Sequence, residues 1–62
     1  MKNPVFQWQM ATGTCDQVEV IGAGRRVTVE ISEPGMSIQT EMTVRQCDRF
    51  IAALQSARKA AS

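Results

Sequence analysis

The run from Thr43 to Ala61 constrains this chain most, because it reads as one amphipathic helix whose apolar stripe has to be covered by something. Thr43 and Gln46 have the spacing of a capping box, in which the threonine hydroxyl takes the Gln46 N–H and the glutamine amide reaches back to the Thr43 backbone. Met42 and Cys47 stand at the flanking positions of a hydrophobic staple. Val44, Cys47, Phe50, Ile51, Leu54, Ala57 and Ala61 then recur at three- and four-residue steps, which puts them on one face of a 3.6-residue period. Arg58 and Lys59 fall in the last turns, where the helix dipole favours cations. No proline or glycine interrupts the run, and the predicted helix covers about residues 44–60.

What precedes it alternates with a period of two. In residues 4–11, Phe6, Trp8 and Met10 share one side, and Val5, Gln7 and Gln9 the other. Thr12, Gly13 and Thr14 mark a turn. A second strand over 15–21 sets Val18 and Val20 against Gln17, Glu19 and Ile21, and Gly22-Ala23-Gly24 supplies a connection tolerant of positive φ. A third, 26–32, sets Val27, Val29 and Ile31 against Arg26, Thr28 and Glu30. Glu33-Pro34-Gly35-Met36 is a type II turn signature, with proline presetting φ and glycine taking the positive φ that follows. The fourth, 36–42, sets Met36, Ile38, Thr40 and Met42 against Ser37, Gln39 and Glu41.

The two hairpins can be checked against each other. A four-residue loop 22–25 pairs Ile21 with Arg26, hence Val20 with Val27 and Val18 with Val29. The Pro34-Gly35 turn pairs Ile31 with Ile38 and Val29 with Thr40. Both registers put Val18, Val20, Val27, Val29, Ile31 and Ile38 on one face, which a one-residue slip would destroy. The predicted fold is therefore α+β, a four-stranded antiparallel meander with one C-terminal helix packed on one face (ββββα), in a single domain. The helix stripe is the only cover this chain has for that face, so Leu54→Asp is expected to unfold it. The opposite face is expected to be wet, with Glu19, Thr28 and Glu41 in one row and Glu30 and Gln39 in the next.

At 62 residues the core is small, since a chain of this size buries only about 60% of its unfolded surface. A content of 44% apolar and 21% charged residues is that of a folding chain, one with reason to take up a partner or a copy of itself. The net charge of +1 is unevenly spread. Lys2, Arg25 and Arg26 stand against Asp16, Glu19, Glu30, Glu33 and Glu41 before the helix, and Arg45, Arg49, Arg58 and Lys59 against Asp48 within it. That falls short of the basic patch of a dedicated duplex binder. No stretch has the apolar length of a membrane span, and the mixed polar start is not a secretory leader, so a cytoplasmic protein is expected. Cys15 and Cys47 have two readings, half-buried thiols or a disulfide, and a reducing compartment favours the first.

The absence of histidine removes the commonest general base and metal ligand, and two distant cysteines make no zinc site. Glu19, Glu30 and Glu41 share a face and could pair for acid–base work, but a flat wet face does not split carboxylate pKa values. No catalytic residue, metal or cofactor is expected. Gly22-Ala23-Gly24-Arg25-Arg26 lacks the spacing of a phosphate loop and joins two strands, so it reads as a hairpin whose arginines are free to touch an acidic group. Trp8 either packs under the helix or, on an edge strand, serves as a binding anchor. Arg45 and Arg49, one turn apart, are either a solvated face or a contact.

The order Phe6-x-Trp8, Cys15 before Val18-Glu19-Val20, Val27-x-Val29 before Pro34-Gly35, then Phe50-Ile51 in a helix, resembles a family of small uncharacterised proteins encoded beside helix-turn-helix regulators. The resemblance implies that the chain is a protein partner of such a regulator. Four strands and a helix in this length are also similar in topology to the single-stranded-DNA-binding domain of the coactivator positive cofactor four, which works as a dimer. The function expected is a non-enzymatic interaction module that regulates or inhibits a protein partner, a phage-encoded inhibitor of a host system included, and forms a homodimer. Its candidate contact residues are Trp8, Arg25, Arg26, Arg45 and Arg49. The alternative is weak single-stranded nucleic-acid binding through Trp8, Arg25 and Arg26.

Overall fold

The computed structural model describes residues 5–62. Strands β1 (Phe6–Met10), β2 (Gln17–Ala23), β3 (Arg26–Glu33) and β4 (Met36–Thr43) form one open antiparallel sheet in the order β1-β2-β3-β4, and the helix α1 (Val44–Ala61) follows. This is the ββββα meander that the two periodicities predict. Residue 4, where the first predicted strand begins, and Lys2 lie outside the described residues.

The β3–β4 hairpin has the predicted register, with Glu33 opposite Met36, Ile31 opposite Ile38 and Val29 opposite Thr40. Gly35 has φ 81, the value a type II turn needs after proline. The β2–β3 hairpin corrects the predicted one. Ala23 pairs with Arg26, so the loop is two residues, Gly24-Arg25, and Val20 lies opposite Val29 rather than Val27. Both loop residues have positive φ, 58 and 66, as a type I′ turn requires. The tighter turn matches strand twist and lets β2 run on through Gly22 and Ala23, which had been assigned to the loop. The shift is two residues, one full side-chain period, so every side chain keeps its predicted face.

The same shift rearranges the polar face. Glu19 lies directly opposite Glu30, and Glu30 opposite Gln39, so Glu19 shares a row with Glu30 instead of with Glu41. Ile21, Thr28 and Glu41 form the next row. β1 is tied to this face by its glutamines: Gln7 Nε2 donates to Glu19 Oε2, and Gln17 Nε2 donates to Gln9 Oε1 at 2.9 Å.

Helix α1 begins where the capping box predicts. Gln46 N donates to Thr43 Oγ1 at 3.2 Å and Thr43 N to Gln46 Oε1 at 3.0 Å. At the far end Ser62 Oγ donates to the Arg58 carbonyl at 2.7 Å, which satisfies one of the last free acceptors. The seat of the helix, however, differs from the one predicted. It approaches only β4 and β3, and Phe50, Ile51 and Leu54 are 42, 47 and 54% exposed. No described residue is fully buried. The chain is elongated, 41 × 31 × 15 Å. Its radius of gyration is 13.2 Å, against about 10.6 Å for a compact chain of this length. The cause is local. Thr43 is both the last residue of β4 and the N-cap of α1, so no residue separates strand from helix, whereas turning a helix back over its sheet ordinarily takes a loop of about 2–6 residues.

Two outcomes are expected from this geometry. Arg25→Gly should raise the urea midpoint by the equivalent of about 0.5–1 kcal/mol, because glycine carries no Cβ penalty at positive φ; a lower midpoint would mean that the Arg25 side chain makes a stabilising contact. Glu30→Lys should stabilise by about 0.2–1 kcal/mol by replacing a like-charge cross-strand pair with an opposite-charge one, an effect that 1 M salt should reduce.

Candidate interaction surface

One face of the sheet is apolar from edge to edge. Pairing sets Phe6, Gly22, Val27 and Met42 in one row, Trp8, Val20, Val29 and Thr40 in the next, and Met10, Val18, Ile31 and Ile38 in a third. The valines of β2 and β3 are half-buried by their neighbours. Phe6, Trp8, Met36 and Ile38 on the outer strands, and even Ile31 on an inner one, face solvent, with Trp8 47% and Ile38 64% exposed. Gly22 leaves a dip in the face between Phe6 and Val27.

A second uncovered apolar surface is the helix stripe. Cys47 is half-buried near the junction with β4, and Phe50, Ile51 and Leu54 beyond it are exposed. The periodicity predicts that these three residues cover the sheet face that holds Ile38. In the structure they are surface, and the signal that distinguishes the two cases is the missing loop between Met42-Thr43 and Val44. The whole chain exposes 5455 Å². A close-packed monomer of 6.8 kDa exposes roughly 4,000 Å².

The candidate contact residues do not form one constellation. Arg25 is at the tip of the β2–β3 hairpin, and Arg26 opens β3 opposite Thr43, so the hairpin tip lies beside the start of α1, where Arg45 and Arg49 occupy the first turns. The hairpin tip with Arg25 and Arg26 and the first residue of α1 thus share one end of the sheet. Arg26 Nε stands 3.9 Å from Glu41 Oε1, a long and exposed pairing that leaves the other guanidinium nitrogens free. Trp8 is in the middle of β1 on the apolar face, and Arg26 is on the polar face. A ligand that touched both would have to pass round the hairpin end or the sheet edge.

Cys15 and Cys47 are both free and half-buried. The Cys15 thiol lies 3.0 Å from the Gln17 carbonyl and 3.3 Å from that of Ser32, at the end of the sheet away from Thr43 and Cys47. Among the described residues no three of Cys, Asp and Glu are grouped to hold a metal ion, and no helix is long and apolar enough to cross a membrane. No family model matches the sequence, and neither a curated protein nor a solved structure is found to be similar to it.

Titration of the native protein with a thiol reagent, without reductant, should count both cysteines as free, and denaturant should speed their reaction without adding to the count. A count that rises only after reduction would mean that the two ends of the sheet come together in a disulfide.

Proposed function

We propose that this chain is a non-enzymatic protein-interaction module of the cytoplasm, which works as a homodimer and regulates or inhibits a protein partner. The observation that carries the proposal is the pair of uncovered apolar surfaces, a sheet face three rows deep and a helix stripe, on a chain too small to hide either. Contiguous apolar patches on small proteins mark association surfaces, and aromatic residues such as Trp8 and Phe6 are the side chains that supply most binding energy there. The arginines at the β2–β3 tip and the start of α1 give the same module a charged end with which to select an acidic partner and speed its encounter.

Affinity capture from an extract of the native host, with the full chain as bait, tests the proposal. The expected result is one protein retained in near-stoichiometric amount and reduced at least about tenfold by joint charge reversal of Arg45 and Arg49. A bait that retains nothing, or whose retained protein is indifferent to this change and to reversal of Arg25 and Arg26, overturns it.

A further inference from the structure

We propose that the occupant of the apolar sheet face is a second copy of this chain, and that the two copies exchange helices, α1 of each lying along the apolar face of the other. This rests on the homodimer reading above and specifies how that dimer is built.

Three observations carry the inference. The first is the junction. Thr43 closes the last rung of the sheet opposite Arg26 and caps α1 through two hydrogen bonds, so the helix leaves the sheet with no linker on which to turn back. A chain that owns both halves of an apolar contact, but is joined too tightly to close it on itself, closes it with an identical neighbour.

The second is area. The excess of exposed surface over that of a compact monomer is more than ~1,000 Å² per chain, hence more than ~2,000 Å² for two, which is the range of obligate homodimers. The third is fit. An 18-residue helix is about 27 Å long, and the 8-residue strands β3 and β4 are also about 27 Å, so one helix spans one sheet. Its stripe of Cys47, Phe50, Ile51 and Leu54 then meets the row of Val20 and Val29 and the row of Ile31 and Ile38, and a two-fold axis uses each surface once per protomer and leaves neither over.

Single-cysteine variants of the full chain, Val29→Cys and Leu54→Cys, each with Cys15→Ala and Cys47→Ala, test the exchange. Ile38→Cys with Ile51→Cys forms a second pair if the first does not fold. A short bis-maleimide should link the two variants only when they are unfolded together, mixed and refolded, at the yield set by the statistical share of mixed dimers. Light scattering of the unmodified chain should give the dimer mass, and Leu54→Asp should weaken association at least about tenfold.

A doubly substituted chain that links within itself at monomer mass would mean that the helix covers its own sheet, and overturns the exchange. A dimer mass with neither pair linking overturns the exchange and leaves the homodimer standing. A monomer at every concentration overturns both, as does a one-to-one complex with a different protein on this face. Open-ended oligomers overturn the reciprocal arrangement.

Discussion

Everything distinctive about this structure depends on the capping box at Thr43 sitting directly on the last rung of the sheet. In most sheet-then-helix connections the chain spends several residues changing direction, and those residues let the helix choose where to lie. Here the Thr43 hydroxyl and the Gln46 amide fix the first turn while the Thr43 backbone is still opposite Arg26. The direction of α1 is thus an extension of the sheet's own geometry. Two surfaces that the periodicities mark as a matched pair are held apart by the same residue that orders both.

The energetic consequence follows from size. A four-stranded sheet with one uncovered apolar face has the pairing and turns it needs but little removal of side chains from water, and an 18-residue helix without tertiary support is marginal in water even when well capped. With no fully buried side chain among the described residues, the hydrophobic contribution inside one copy is small against the chain entropy of ordering it. In the proposed dimer folding and association are one equilibrium, so apparent stability would depend on protein concentration. The carboxylate row of Glu19 and Glu30 fits this economy, because like charges across strands on the solvent face discourage sheet stacking on the wrong side.

Much of the fold was legible because side-chain period is a strong constraint and loop length a weak one. The Pro34-Gly35 hairpin was readable residue by residue, since proline and glycine each demand the backbone angle that their position supplies. The other hairpin was not, because only Gly24 of its two loop residues advertises positive φ, and Arg25 adopts it against its own preference. The resulting register error was a whole period, so the apolar face survived it while the polar rows did not. The helix start was equally plain in Thr43 and Gln46. What the pattern could not convey is which molecule covers a face. Leu54 and Val29 have the same apolar signature whether they meet within one chain or between two, and only the length of the connection at Thr43 separates these cases.

That distinction also divides the residues that the sequence singled out for binding. Trp8 lies in the same row as Val20 and Val29, so in the proposed dimer the second copy's helix would cover it and its task would be self-association. Arg25 and Arg26 at the hairpin tip, with Arg45 and Arg49 at the start of α1, sit at the end of the sheet, off the apolar rows. In the proposed dimer they would stay exposed, and each would be presented twice, related by the dimer axis. A partner with two acidic patches at matching spacing would gain from both copies at once, by an effective-concentration advantage that a single copy cannot offer. On the proposed reading the apolar face serves assembly and the arginine end selectivity, two roles that the sequence pattern groups as one site.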